Sequence, residues 1–158
     1  MSADQYRIRQ ARQTDREQWH ELWQGYLTFY QSTLADEVTD LLWQRIHDPA
    51  HEIQCRVAED DDGALAGLVH FFPHAHTWYA APVCYLNDLF VRPHIRGGGI
   101  GEKLIAAVVD EGRRQGWAEV YWHTQHFNSV ARGLYDKLTG GTDGFVNYTI
   151  DLSAGTED

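Results

Sequence analysis

Only two cysteines, one methionine and four prolines occur among the 158 residues. Cys55 and Cys84 are far apart and outside any CxxC spacing, so they support neither a disulfide framework nor a zinc knuckle. Both are expected to be reduced and partly buried. Lysine and arginine are scarce, 13 against 23 aspartates and glutamates, for a net charge of −10. A phosphate backbone is gripped by clustered cations, so nucleic acid is excluded as a partner. A cationic substrate suits this balance better, although acidity can also serve solubility alone. There is no apolar run of bilayer-spanning length and no N-terminal signal-peptide pattern, so no membrane partner and a cytoplasmic location are expected. No repeat, linker or second core is visible. With 43% hydrophobic and 23% charged residues, the expectation is one globular domain over residues 1–152 and a frayed tail over 153–158.

What is present is a sequence of alternating periods. Tyr6 to Ala11 alternates in the manner of a strand, and Thr14 with Glu17 forms a capping-box pattern that predicts a helix start. Trp19, Leu22, Trp23, Tyr26, Leu27 and Tyr30 then mark one helical face. Val38, Leu41, Leu42 and Ile46 predict a second helix, ended by Asp48-Pro49. Glu52 to Ala58 and Ala64 to Phe72 read as a hairpin around Asp60-Asp61-Asp62-Gly63. Pro82 to Val91 is a further extended run. Ile100, Leu104, Ile105, Val108 and Val109 give a helix that Gly116 terminates. Glu119 to Thr124 reads as a strand, Asn128 as the cap of a helix running to Leu138, and Phe145 to Leu152 as a last strand. The order β-α-α-β-β-β-α-β-α-β predicts an α/β fold, a mixed and mostly antiparallel sheet flanked by helices.

Arg96-Gly97-Gly98-Gly99-Ile100-Gly101 lies between the third hairpin-region strand and a helix. A helix N-terminus has unpaired amides and partial positive charge, glycines let an anion approach the backbone, and Arg96 adds a charged donor. A tight strand-to-helix turn would use the same residues. The P-loop requires GK[ST], but Glu102 and Lys103 follow Gly101. A dinucleotide fingerprint would open the first βαβ unit and lead to a strand-end acid, yet this loop lies past mid-chain and Tyr121-Trp122-His123 follows.

The segment from Leu86 to Leu104 resembles the acetyl-CoA motif of the GCN5-related N-acetyltransferases. Arg96, Gly99 and Gly101 match R-x-x-G-x-G, and Asn128, Ala131 and Tyr135 match the downstream N-x-x-A-x-x-x-Y pattern. The element order agrees over nearly the whole chain. The usual Gly-Phe after the second motif is altered here to Leu138-Thr139-Gly140-Gly141 with a delayed Phe145. The YLNDLFV run and the aromatic first helix are similar to those of diamine, polyamine and histone-acetylating relatives. The diamine pattern has two acids where this chain has Asn87-Asp88, which counts against a polyamine.

The resemblance implies transfer of acetyl from acetyl-CoA to a primary amine of a small molecule, such as a polyamine or amino acid, or of a peptide or lysine. A non-catalytic acyl-CoA sensor or interaction module is the alternative, and dimerisation is common in the family. The resemblance further implies that the pantetheine arm pairs along Leu89, Phe90 and Val91, that Arg96 to Gly101 grip the pyrophosphate, that Asn128, Ala131 and Tyr135 complete the cofactor site, and that Tyr135 is the general acid. For the general base, Asp88 comes first, His123 second and a water relay third. Asp88 could equally anchor a cation or cap backbone, and His123 could be a satisfied core residue. Glu21, Trp23, Tyr26, Tyr30 and Asn87 are expected to line the acceptor pocket, although an aromatic stripe at this spacing also serves as core. His70, His74 and His76 have no carboxylate or thiol at metal-site spacing, so no metal is expected.

Overall fold

The computed structural model describes residues 2–153, which fall into two compact units, residues 2–123 and 124–153. The first contains a five-stranded sheet in the order β1-β2-β3-β4-β5. Its strands are β1 (Arg7–Gln10), β2 (Gln54–Glu59), β3 (Leu65–His74), β4 (Val83–Val91) and β5 (Val120–Tyr121). All neighbours are antiparallel except β4 and β5. The helices of this unit are α1 (Arg16–Phe29), α2 (Asp36–His47) and α3 (Ile100–Gln115).

Successive strand residues point to opposite faces, and this alternation assigns the helices. Leu68 and Phe90 face α1, whose Trp19, Leu22, Trp23 and Leu27 form the main core with Trp43 and Ile46 of α2. Gly67 lies on the other face, against Leu104 of α3 and Val91. Two glycines set the closeness of this packing. A Cβ on Gly25 would lie 2.8 Å from the Phe90 ring, and one on Gly67 would lie 2.7 Å from the Phe90 carbonyl oxygen. The β2–β3 turn is built as its acids predict: Asp60 accepts from the amides of Asp62 and Ala64, and Gly63 takes φ 85°.

Four local expectations are corrected. α1 does not begin on a Thr14–Glu17 box. Gln13–Asp15 forms a 3-10 turn in which Asp15 accepts from the Arg12 amide at 2.7 Å and from both terminal nitrogens of Arg9, 2.7 and 2.9 Å away. A cation arriving from β1 outcompetes the local box. The buried face of α2 is Thr39, Trp43 and Ile46, whereas Val38 and Leu41 are exposed; Trp43 brings the larger apolar area and sets the rotation of the helix. β5 is two residues long rather than six. Phe145 to Leu152 forms no strand, and Phe145, Val146, Tyr148, Ile150 and Leu152 are exposed. Alternation supplies a face, but a strand also needs a paired edge.

The second unit is built on α4 (Ser129–Thr139). Asn128 caps it as expected, its side-chain oxygen accepting from the Ala131 amide, and Gly140 ends it at φ 84°. Of the tail expected over 153–158, residues 154–158 lie outside the described residues.

A buried ion network ties β1 to β2. Glu59 is 6% exposed and accepts from Arg9 and Arg7 at 2.7 to 3.0 Å. Those hydrogen bonds, Arg9's first, hold its carboxyl down at about 2 from an ordinary 4.5. A depressed folded-state value contributes stability above the unfolded value, and that stability is lost as pH falls toward the folded one. Glu59→Gln should therefore cost about 3 kcal/mol near neutral pH. Denaturant titrations should show the gap from the parent protein shrinking between about pH 4.5 and 2; a gap independent of pH would overturn this account.

Candidate active site

The site starts from an irregularity in β4. His70 of β3 pairs with Asp88, but the next residue, Phe71, pairs with Leu86, so Asn87 is an extra residue bulged out of the ladder. A bulge re-aims the side chains around it. Asn87 is exposed while Asp88 is buried at 9% exposure. At the same level β4 separates from β5, which pairs only with Cys84 and Tyr85. Past Tyr85, the edge of β4 away from β3 therefore has no strand partner among the described residues.

Asp88 acts on the tyrosines of this end of the sheet through its charge. Burial first and the Asp88 charge second push the phenols of Tyr26, Tyr30 and Tyr85 above their ordinary value, and a hydrogen bond to Asp88 adds to the shift at Tyr26. Tyr26 is stacked on Trp23 at 5.1 Å, and Tyr30 packs on Tyr26 at 4.8 Å. Asn87 Nδ2 donates to Asp88 Oδ1 at 3.3 Å. On the opposite side His70 Nδ1 lies 3.0 Å from Oδ2. Exposed His123 reaches the site through Tyr85, whose hydroxyl is 3.1 Å from Nδ1, and the Tyr85 ring is stacked on Tyr121.

Of the residues expected in the acceptor pocket, the structure brings together Tyr26, Tyr30, Asn87 and Asp88, with His123 one contact away. Trp23 is core at 5% exposure, stacked on Tyr26 and packed edge-on against His70 at 5.2 Å. Glu21 is not grouped with them. It is exposed, pairs with Arg92 at 3.1 Å, and lines a separate recess of about 800 Å³ with Gln18, His94, Gly97 and Gly98. The histidines do not form a cluster either: His70 is buried, His74 bonds the Tyr121 hydroxyl at 2.7 Å, and His76 packs on Trp78 and Tyr79. No grouping of three potential metal ligands occurs among the described residues. In the sequence Trp19 reads as a core-face residue, His70 only as a potential metal ligand and Tyr85 only as a strand residue, so none of the three is expected beside Asp88. The only signal for His70 was its place in a strand next to the one carrying Asp88, and the bulge at Asn87 hides that pairing.

The glycine loop follows β4. Gly97 and Gly99 take φ of 87° and 85°, the left-handed region open to glycine, and nothing stands within 4 Å of the position a Gly97 Cβ would occupy. Gly99 is the N-cap of α3 and supplies no side-chain acceptor, so the first-turn amides keep their capacity to bind an anion. Ile100 is buried and roots the helix, and Gly101 lies within its first turn. Arg96 donates from Nε to the Val91 carbonyl at 2.9 Å, with its guanidinium over the rings of Phe29 and Phe90, 5.1 and 5.4 Å from their centroids. In the other unit, α4 spaces Asn128, Ala131 and Tyr135 about one and two turns apart on one face.

The acetyltransferase (GNAT) family pattern matches residues 16–140, from the first turn of α1 to the C-cap of α4. The chain belongs to the GNAT family. It is 33% identical over 144 residues to a D-amino-acid N-acetyltransferase of Saccharomyces cerevisiae, a match covering 90% of this chain and 89% of that one. A solved structure described as a probable acetyltransferase superposes with a TM-score of 0.83 at 24% identity, covering 94% of this chain and 99% of that one. An aminoglycoside N-acetyltransferase solved with CoA superposes with a TM-score of 0.79 at 23% identity, covering 93% and 95%.

The GNAT chain is thus an acetyl-CoA-dependent N-acetyltransferase. Its residues fit that cofactor in two places: the unobstructed Gly97 to Gly99 turn before the uncapped end of α3, and the unpaired edge of β4 along Leu89, Phe90 and Val91. At both places backbone groups would do the holding, so the burial of the Phe90 side chain is no obstacle to it. No helix among the described residues is long and apolar enough to cross a membrane.

Proposed function

We propose that this GNAT protein acetylates the primary amine of an amino acid or a similar small cationic molecule, with Asp88 as the acceptor-side base and Tyr135 as the general acid. The observation that carries this is the Asp88 carboxylate, buried beside Tyr26, whose ring packs between Trp23 and Tyr30. A buried negative charge next to a cluster of aromatic rings recognises an ammonium group by charge and by cation–π attraction. The net charge of −10 steers cations to the protein from a distance. The likeness to a D-amino-acid N-acetyltransferase over nine-tenths of the chain supports an amino acid over a larger acceptor. The single acid, with Asn87 beside it, suits one ammonium group better than the paired charges of a polyamine.

The chemistry follows from what an ammonium lacks. Its nitrogen has no lone pair until a proton leaves, and Asp88 receives that proton. Acetyl-CoA supplies an acetyl carbon activated as a thioester. Main-chain amides along Leu89 to Val91 would polarise its carbonyl, the Gly97 to Gly99 turn and the end of α3 would hold its phosphates, and Arg96 would add a charged donor. As the new C–N bond formed, the nitrogen would give up its second proton and the C–S bond would break; Tyr135 would protonate the departing sulfur and recover the proton released by the nitrogen, so that one proton, the one taken by Asp88, leaves overall.

Incubation with acetyl-CoA and a panel of D- and L-amino acids, diamines, aminoglycosides and peptides, following release of free thiol, tests the proposal. Turnover is expected with amino acids first. CoA binding with no thiol release across the whole panel would replace it with the non-catalytic sensor.

A further inference from the structure

The acceptor-side carboxylate is backed by a buried hydrogen-bonded chain that the reaction as described does not use. His70, 2% exposed, sits between Trp19 of α1 and Asp88 of β4. Trp19 Nε1 is 3.0 Å from His70 Nε2, and His70 Nδ1 is 3.0 Å from Asp88 Oδ2. Burial disfavours a charged imidazole here, but the neighbouring Cys55 sulfur and the Asp88 carboxylate outweigh it and push its pKa up to about 10. The Trp19 contact argues for the neutral ring. An indole N–H can only donate, so the contact requires a lone pair on Nε2. A neutral ring with its one proton on Nδ1, donated to Asp88, is the arrangement that satisfies both contacts.

We propose that His70 is a positioning residue for Asp88: Trp19 fixes the imidazole in its Nδ1–H tautomer, and Nδ1–H fixes Oδ2, so that Oδ1, which accepts from exposed Asn87 at 3.3 Å, is the oxygen that serves the acceptor amine. The inference rests on the role given to Asp88 above. Three features make the chain fit for this task. The bulge at Asn87 places His70 directly opposite Asp88, so their side chains share one face of the sheet. Trp19 is fully buried between Trp23 and Trp43, which leaves its N–H no freedom to turn away. A donor held by a rigid core orients a carboxylate without occupying the oxygen needed for chemistry.

The test pairs activity with spectroscopy. In the resting protein at neutral pH, two-dimensional proton–nitrogen NMR of the histidine rings should show His70 neutral with the proton on Nδ1. A proton on Nε2, or an imidazolium, overturns the proposal. His70→Leu should lower kcat/KM for the amine on the order of 10²-fold with little change in CoA affinity. His70→Asn, whose side-chain amide stands where Nδ1–H stood, should recover most of that loss, and a merely structural role predicts no such recovery. In an Asp88→Asn background, His70→Leu should add little, because both changes remove the same function. If His70→Leu does not fold, Trp19→Phe serves: it keeps the ring, removes only the N–H, and should abolish the fixed tautomer and reduce turnover. Full activity in Trp19→Phe or His70→Leu beside an inactive Asp88→Asn would sink this inference alone. An active Asp88→Asn would sink the role of Asp88, and this inference with it.

Discussion

Asp88→Asn should reduce kcat/KM for the amine by about 10³-fold while CoA affinity changes less than about twofold. The substitution keeps the shape of the side chain and removes only the charge and the basic oxygen. Asp88 sits on the buried face of β4, so a water molecule cannot substitute for it freely. The division of the loss between kcat and KM identifies the role. A fall in kcat means that Asp88 takes the proton; a rise in KM with kcat kept means that it anchors the ammonium group. Steady-state thiol release with the best amino acid from the panel, and calorimetry with CoA, give both numbers. A variant with parental kcat/KM would remove Asp88 from the mechanism.

Tyr135→Phe should lower kcat on the order of 10²-fold, with KM for the amine and affinity for CoA nearly unchanged. The ring remains to pack on α4, and only the hydroxyl is lost. A leaving thiolate is already a stable anion, so withholding its proton costs less than leaving the amine protonated, and the effect should be smaller than that of Asp88→Asn. Parental kcat would reduce Tyr135 to a packing residue.

The legible part of this protein was the part made of local rules. The turn at Asp60 to Gly63, the Asn128 cap, the Gly116 and Gly140 stops and the glycine loop all rest on interactions among residues a few positions apart. The misread parts were decided at long range. Arg9 reaches across from β1 to take Asp15 and displace the capping box, and Trp43 turns α2 about its axis. Phe145 to Leu152 has strand alternation and no ladder, because alternation describes a face while pairing depends on a partner elsewhere in space.

The same division runs through the site. Arg96, Gly99 and Gly101, with Asn128, Ala131 and Tyr135, carried the resemblance to the family and with it the cofactor, and the glycine loop itself was legible because a backbone cradle for phosphate is a local structure. The acceptor side is not local. Asp88 was visible as one acid in a strand, but Tyr26 comes to it from α1 and His70 from a neighbouring strand 18 residues away. One extra residue at Asn87 shifts the register and brings His70 opposite it. A single-residue bulge leaves composition and periodicity almost untouched, yet it reverses which side chains share a face. That reversal is why the cofactor could be read from the sequence and the surroundings of Asp88 only from the fold.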